Sequence, residues 1–429
     1  MNNAQRGGIP SLPSDDLIKR CGTAAASTLG AWPLAGSHGV WSAGSDAPEK
    51  REVRVGFLPL TDCASIVIAS LRGFDRRYGI KIIPTREASW AAVRDKLLNG
   101  VLDAAQVLYG LVYGVQMGIG GPKRDMAVLM TLNQNGQGIT FSRRLQELGV
   151  TTGDTLRRRL GTDHRLYTLA HTFPTGTHAL WLYYWLAAHG IDPLSDVHTI
   201  VVPPPQMVSH LRSGKVDGAC VGEPWNALAI REQVGFTVAN SQDVWADHPE
   251  KALGTTREFV QRYPNTARAL VMAVLDASRY VDTLGRRSEV ARIIAARPYV
   301  DAPVEAVEAR LRGEYDDGIG KGWHDPHHLS FYRDGQVNFP YLSDGMWFLT
   351  QHRRWGLLHR DPDYLAVARQ IQQIEIYRQA AAQTRVPVPD ELVRRSRLID
   401  GIPWDGTDPC AYARGFSIQW RSKPLAAEA

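Results

Sequence analysis

Two stretches 114 residues apart set the frame for this chain: Leu98-Asn99-Gly100-Val101-Leu102-Asp103-Ala104 and Arg212-Ser213-Gly214-Lys215-Val216-Asp217-Gly218. Each follows an amphipathic stretch of helical period. Each leads into a short apolar run, from Ala105 in one case and over Ala219-Cys220-Val221 in the other. Glycine at the third position suits the left-handed residue that ends a helix. The two read as equivalent elements of two similar lobes. Helix–glycine–strand is also a common connection, so chance similarity is the competing account.

The rest of the chain follows the same grammar. Arg54 to Leu60 reads as a buried strand, with Thr61 and Asp62 offering an N-cap for a helix through Arg77 and Gly79 ending it. Ile80 to Thr85 is a second strand, and Ser89 caps a helix over Trp90–Leu98. Strand–helix alternation with short connections predicts an α/β fold around a mainly parallel sheet. Met126 to Leu132 is a strand, broken by the polar, glycine-rich Asn133–Gly138 and resumed at Ile139. That break is where one lobe would cross to the other. Leu166–Ala170 and Thr199–Val202 are further strands, Pro203-Pro204-Pro205 fixes an extended path, and Gln206–Arg212 is a helix. Asp247–Gly254 reads as a polar loop through which the chain returns. Asn265–Leu284, Ser288–Ala296 and Tyr364–Ala382 read as helices, and the segment from about residue 315 as loop-rich but buried through its aromatics. The expected division is a leader over 1–50, a first lobe begun over 51–137, a second lobe over 138–244, and a return to the first lobe with a C-terminal extension over 245–429.

Length and charge narrow the function classes. A chain of 429 residues is too long for one ordinary core. Its net charge of +5 is mild and its basic residues are scattered, so no nucleic-acid partner is indicated. No run of about 18 apolar residues follows residue 50, so no membrane span is expected. Lys19-Arg20, the mildly apolar Cys21–Gly36 and the small residues Ser42-Ala43-Gly44 have the order of an export signal, of degenerate twin-arginine type. This points to the periplasm; the alternative is a cytoplasmic leader. No HExxH, Walker loop or GxSxG occurs. His324, His327 and His328 surround an Asp-Pro turn and read as surface histidines rather than metal ligands. No cofactor is expected.

The candidate site begins at the turn His171-Thr172-Phe173-Pro174-Thr175-Gly176-Thr177-His178. Thr177 is the expected N-cap of a helix over Ala179–Ala188. A helix start presents unpaired N–H groups and a positive dipole end, which favour an anion. Trp90, Gln137, Pro204 and Lys251 stand at other turns or element starts, where open α/β sheets bind ligands. Together with Gly176, Thr177 and His178 they offer one cation, amide and imidazole donors, backbone N–H groups and a flat indole face. That set suits a small planar anion. No nucleophile or paired carboxylate accompanies it, so binding without catalysis is expected. The plain alternatives are a capped core helix with a satisfied His178 and a solvated Lys251.

Gly56–Ala64, Arg86–Trp90, Asp103–Ala105, Asn135–Thr140, Phe173–His178, Val202–Val208 and Gly222–Asn226 together resemble the nitrate- and bicarbonate-binding proteins of ABC transporters, in order, from about residue 52 to 410. The resemblance implies two α/β lobes of the type II periplasmic-binding-protein fold with the anion clamped between them. It also implies ABC permease and ATPase partners in the inner membrane. It matches the family's pocket tryptophan, glutamine, histidine, proline and lysine to Trp90, Gln137, His178, Pro204 and Lys251. Bicarbonate binders of the family place acid and a calcium ion near the lysine position, so Lys251 favours nitrate, with nitrite as a companion ligand. Two other readings accompany it: a cytoplasmic nitrate/nitrite sensor that pairs with an antiterminator, and a bicarbonate-binding transport protein. Gln137-Gly138 departs from the Asn-Ala of many relatives.

Overall fold

The computed structural model describes residues 46–421 apart from residue 164. The export-signal reading falls almost wholly outside the described residues. Ten strands form two five-stranded sheets. The first contains β1 (Glu52–Phe57), β2 (Lys81–Arg86), β3 (Ala104–Leu108), β4 (Met126–Gln134) and β10 (Pro249–Thr256), in the order β2-β1-β3-β10-β4. The second contains β5 (Gln137–Ser142), β6 (Thr168–His171), β7 (His198–Val201), β8 (Gly218–Gly222) and β9 (Gly235–Asn240), in the order β7-β6-β8-β5-β9. Each sheet begins with three parallel strands, and its fourth strand runs antiparallel to both neighbours.

The repeat is structural. Gly100 and Gly214 both adopt left-handed backbone, with φ of 69° and 68°. The aspartates behind them do the same work twice. Asp103 accepts the N–H of Arg54 at 2.9 Å and pairs with Lys50 at 2.5 Å. Asp217 accepts the N–H of Thr168 at 2.9 Å and pairs with Arg165 at 2.5 Å. Each carboxylate thus ties the start of a central strand to the strand beside it.

The fourth strand of each sheet is the one that arrives from the other sheet. β4 crosses to β5 through Asn135-Gly136, both at positive φ (63° and 88°), and β9 returns to β10 past Asp247 (φ 56°). The crossings are bonded to each other: Asn135 donates its backbone N–H to the His248 carbonyl at 2.9 Å, and His248 donates its own to Asn135 Oδ1 at 3.1 Å.

Several elements differ from the sequence reading. Asp247–Gly254 is not a loop: from Pro249 it is a fully buried strand, and its polar side chains find partners inside the protein. The helix after Asp62 is a single 3-10 turn followed by Ala64–Leu71, not one helix to Arg77. The helix expected over Tyr364–Ala382 is two, Tyr364–Ile371 and Ile374–Thr384, because Gln372 leaves helical geometry to bridge Val128 on the edge strand β4. Within the segment read as loop-rich lies a 13-residue helix, Leu342–Arg354. It lies against helix Tyr109–Gln116 of the first sheet and helix Thr177–Ala188 of the second. Phe348 stacks on Tyr109 at 5.5 Å, and His352 bonds the Thr175 carbonyl at 2.9 Å. Gly110 permits this packing, since a Cβ there would lie 2.3 Å from the same carbonyl.

Gly136→Ala is expected to destabilise the protein by about 1–3 kcal/mol, through strained φ and a Cβ placed 2.6 Å from the buried Leu329. Gly100→Ala, with the same backbone sign but open space around it, should cost only about 1 kcal/mol. Urea midpoints of the two variants compare these; equal losses would remove the steric role of the crossing.

Candidate functional site

The crossing strands deliver their first residues to one place. Lys251 pairs in register with Leu108 on β3, and Gln137 pairs with Gly222 on β8. The loop after β1 joins them: Thr61 donates its N–H to the Glu223 carbonyl at 2.8 Å, and Trp225 bonds the Pro59 carbonyl at 3.0 Å. Gly222 is close to both sides. A Cβ on it would sit 3.2 Å from Leu60, 3.6 Å from Asp62 Oδ2 and 3.6 Å from His178 Nε2.

At the centre stands the Lys251 ammonium. It lies 2.8 Å from Asp62 Oδ2 and in contact with Glu250 Oε1. Glu250 also receives His178 Nε2 at 2.8 Å and His248 Nε2 at 3.2 Å. His178 Nδ1 pairs with Thr172 Oγ1 at 2.6 Å. Gln106, a lone polar residue in the buried strand β3, takes the N–H of Leu58 on its oxygen at 2.9 Å and turns its amide nitrogen to Asp62 Oδ1. None of Lys251, Glu250, Asp62, His178, His248, Trp90 or Gln137 is more than 2% exposed.

Burial and pairing set the charges. Burial raises the Glu250 carboxyl, but Lys251 and His178 outweigh it and hold the group well below the usual carboxylate range. Burial lowers both His178 and His248, so both imidazoles are neutral at pH 7 despite Glu250. Burial also opposes the Lys251 ammonium, and Asp62 and Glu250 more than restore it. Asp62 differs: burial pushes its carboxyl up to about 6 despite Lys251, and Glu250 adds to the rise. At neutral pH the cluster therefore carries one positive and two negative side chains.

The expected site residues meet this cluster unequally. Trp90 opens its helix behind the Ser89 cap, and the Lys251 ammonium lies 5.7 Å from its ring centre. Gln137 is anchored through its backbone to Ser241 at 3.1 Å, and both side-chain polar atoms are buried without a partner. Trp90 Nε1 and Thr61 Oγ1 are likewise unpartnered. Gly176, not Thr177, is the N-cap of the helix Thr177–Ala188, because its extended φ/ψ precedes Thr177, the first helical residue. Thr177 instead reaches the Glu250 carbonyl at 3.4 Å. His178 Nδ1 is hydrogen-bonded to Thr172, while Nε2 lies 2.8 Å from Glu250 without completing a hydrogen bond. Pro204 is buried in the turn after β7, two strands from β8. Asp62, Glu250, His248 and Gln106 were not expected. Asp62 was hidden by its plausible role as a helix cap, and Gln106 by its apolar strand.

The lysine, held between two carboxylates, has a third N–H. With the Gln137 amide, the Trp90 indole N–H and the Thr61 hydroxyl it gives a set of unspent donors. Such a set can take an oxyanion. The same ammonium stands between the two carboxylates, where a divalent cation would have to bind, and no group of metal-ligating side chains occurs among the described residues.

Two sheets that exchange their fourth strands around an enclosed charged site define a type II periplasmic-binding-protein fold. Comparison with known proteins agrees. The model of the NMT1-like family matches residues 46–295. The nitrate/nitrite binding protein NrtA of Synechocystis sp. PCC 6803 is 34% identical over 388 residues, which cover 88% of this chain and 87% of NrtA. The crystal structure of the periplasmic nitrate-binding protein NrtA from Synechocystis PCC 6803 superimposes with a TM-score of 0.83, covering 87% of this chain and 100% of that one. The nitrate import ATP-binding protein NrtC of the same organism is 35% identical over 378 residues, but the chain spans only 56% of its length. The chain belongs to the NMT1-like family, and it aligns with the NrtA proteins along most of its length.

The raised Asp62 carboxyl fixes a sign for stability. Its folded value, about 6, exceeds the ordinary 3.8, so its contribution is full below about pH 4 and is lost as pH rises through about 6. Unliganded Asp62→Asn should therefore gain on the wild type between those values, by on the order of 3 kcal/mol. Denaturant unfolding at acid and neutral pH measures this; a pH-independent difference would take Asp62 out of the charged cluster.

Proposed function

We propose that this protein is the solute-binding component of a nitrate import system, with nitrite as a second ligand. It holds the anion between the two sheets and passes it to a membrane permease served by ATPase subunits. The observation that carries this is Lys251, a fully buried ammonium 5.7 Å from the Trp90 ring, whose indole N–H has no partner. In the proposed site Lys251 supplies the charge, Gln137 and the Trp90 N–H donate, the backbone around Gly176-Thr177 and Pro204 closes the walls, and His178 positions Glu250. The lobes of the proposal are 51–137 with 245–429, and 138–244. A leader ending near Gly44, short of Lys50 with its pair to Asp103, directs the chain to the periplasm.

The alternative reading is a cytoplasmic nitrate/nitrite sensor that pairs with an antiterminator regulator. A mature N-terminus near Gly44, read by mass spectrometry of the protein isolated from its source, supports transport. An intact Met1 supports sensing.

Calorimetry of the full chain with nitrate, nitrite and bicarbonate, with and without calcium, tests the ligand. Nitrate should bind without calcium. The double variant Glu250→Gln/Lys251→Met, which removes one charge of each sign, should lose at least about 30-fold in affinity, as loss of a buried charge partner implies. Calcium-dependent binding of bicarbonate alone would overturn the reading.

A further inference from the structure

We propose that Asp62 takes up a proton when the anion binds, so that the site accepts a monoanion and a proton together. This rests on the anion-binding reading above.

The charge balance of the enclosed cluster motivates it. Lys251 faces two carboxylates, Asp62 and Glu250, and the histidines beside them are neutral. A monoanion added to this group would raise its negative charge in a place removed from water. Charges buried without compensation are expelled or take up protons. One proton restores the original balance.

The hydrogen bonds select the carboxyl, and the atom, that receives it. Glu250 is supported by Lys251, His178 and His248 together. Asp62 has only Lys251 on one oxygen and the Gln106 amide on the other. Gln106 cannot turn over without facing its nitrogen to the N–H of Leu58, so its amide N–H stays on Oδ1. The proton then goes to Oδ2, the oxygen 2.8 Å from Lys251 and beside Gly222, with no hydrogen-bond partner of its own. Protonation there does two things. It ends the ion pair that draws the Lys251 ammonium to Asp62, and it turns Oδ2, which has no hydrogen-bond partner, into a donor toward the anion.

The titratable groups around Asp62 are few. Glu250 and Lys251 face it from β10, with His248 behind Glu250. His178 faces it across the Gly222 position from the helix Thr177–Ala188. Cys63 follows it on its own turn, and Cys220 on β8 lies near Glu250 and Lys251; burial pushes both thiols up, so they stay neutral. Glu223, beyond Thr61, is paired with Arg310 at 3.0 Å. The free Asp62 carboxyl, pushed up by burial to about 6, is already closer to protonation than an ordinary aspartate.

The experiment is nitrate calorimetry on the full chain, at about pH 7.5, in buffers of different ionisation enthalpy. The wild type should take up about one proton per nitrate, and its Kd should rise about tenfold per pH unit above about pH 6.5. Asp62→Asn, whose amide mimics the protonated carboxyl, should bind with no proton uptake and a flat pH profile. Nitrate binding by the wild type without proton uptake overturns the proposal and leaves the nitrate reading intact. Persistent uptake by Asp62→Asn overturns it in favour of a histidine. A wild type that binds no nitrate at any pH overturns the nitrate reading, and this proposal with it.

Discussion

A lysine ammonium held fully out of water between Asp62 and Glu250 is the interaction on which the rest of this structure depends. A buried charge of that kind is tolerable only when its partners are fixed, and each partner here is fixed from a different element. Asp62 comes from the turn after β1 and is held by Gln106 of β3. Glu250 comes from β10 and is held by His178 of the second-sheet helix. The ion group therefore ties the two sheets together as well as forming the site. The orphaned donors of Gln137, Trp90 and Thr61 collect around it because nothing in the protein completes their bonds.

The exchange of fourth strands explains why the site lies where it does. A strand that crosses from one sheet to the other must leave its own lobe and enter the next at the interface. Its first residues then lie at that interface. Gln137 and Lys251 occupy these positions on the two exchanged strands. The mutual bonds of Asn135 and His248 lash the two crossings side by side, and the helix Leu342–Arg354 braces both lobes through Tyr109 and Thr175. The repeat around Gly100 and Gly214 gives the sheets a common plan, and the crossings turn two copies of that plan into one site.

Much of this was legible in the sequence wherever a local rule decided the outcome. Ser89 caps its helix, Gly79, Gly100 and Gly214 end theirs in left-handed backbone, and the repeat marks equivalent strands. The fold and the family followed from motifs in order. What was hidden is non-local. His248, Glu250 and Lys251 look like a solvated loop, because polarity in a short window says nothing of a salt-bridged interior. Thr61-Asp62 looks like a helix cap, because the competing partner, Lys251, is almost two hundred residues away. Tyr364–Ala382 looks like one helix, because the bridge from Gln372 to Val128 has no local signature. The sequence singled out Lys251 as a candidate cation; its two counter-charges, which change what that cation can do, required the fold.

Those counter-charges also bear on which anion suits the site. Nitrate is the anion of a strong acid, so at neutral pH it carries no proton into the site and accepts hydrogen bonds only. A protonated Asp62 and the Lys251 ammonium both present donors to it. Bicarbonate has an O–H of its own, which must find an acceptor when buried. One acceptor beside Gly222 is Asp62 Oδ2 in its ionised form. Bicarbonate held that way leaves Asp62 charged and adds its own charge, so the cluster carries one more negative charge than it does with nitrate and a proton. Offsetting that charge would take a further cation, and the position between the carboxylates is already filled by Lys251. Under the proton-coupled scheme, the same lysine that attracts a monoanion therefore selects against the one that would need a metal ion beside it.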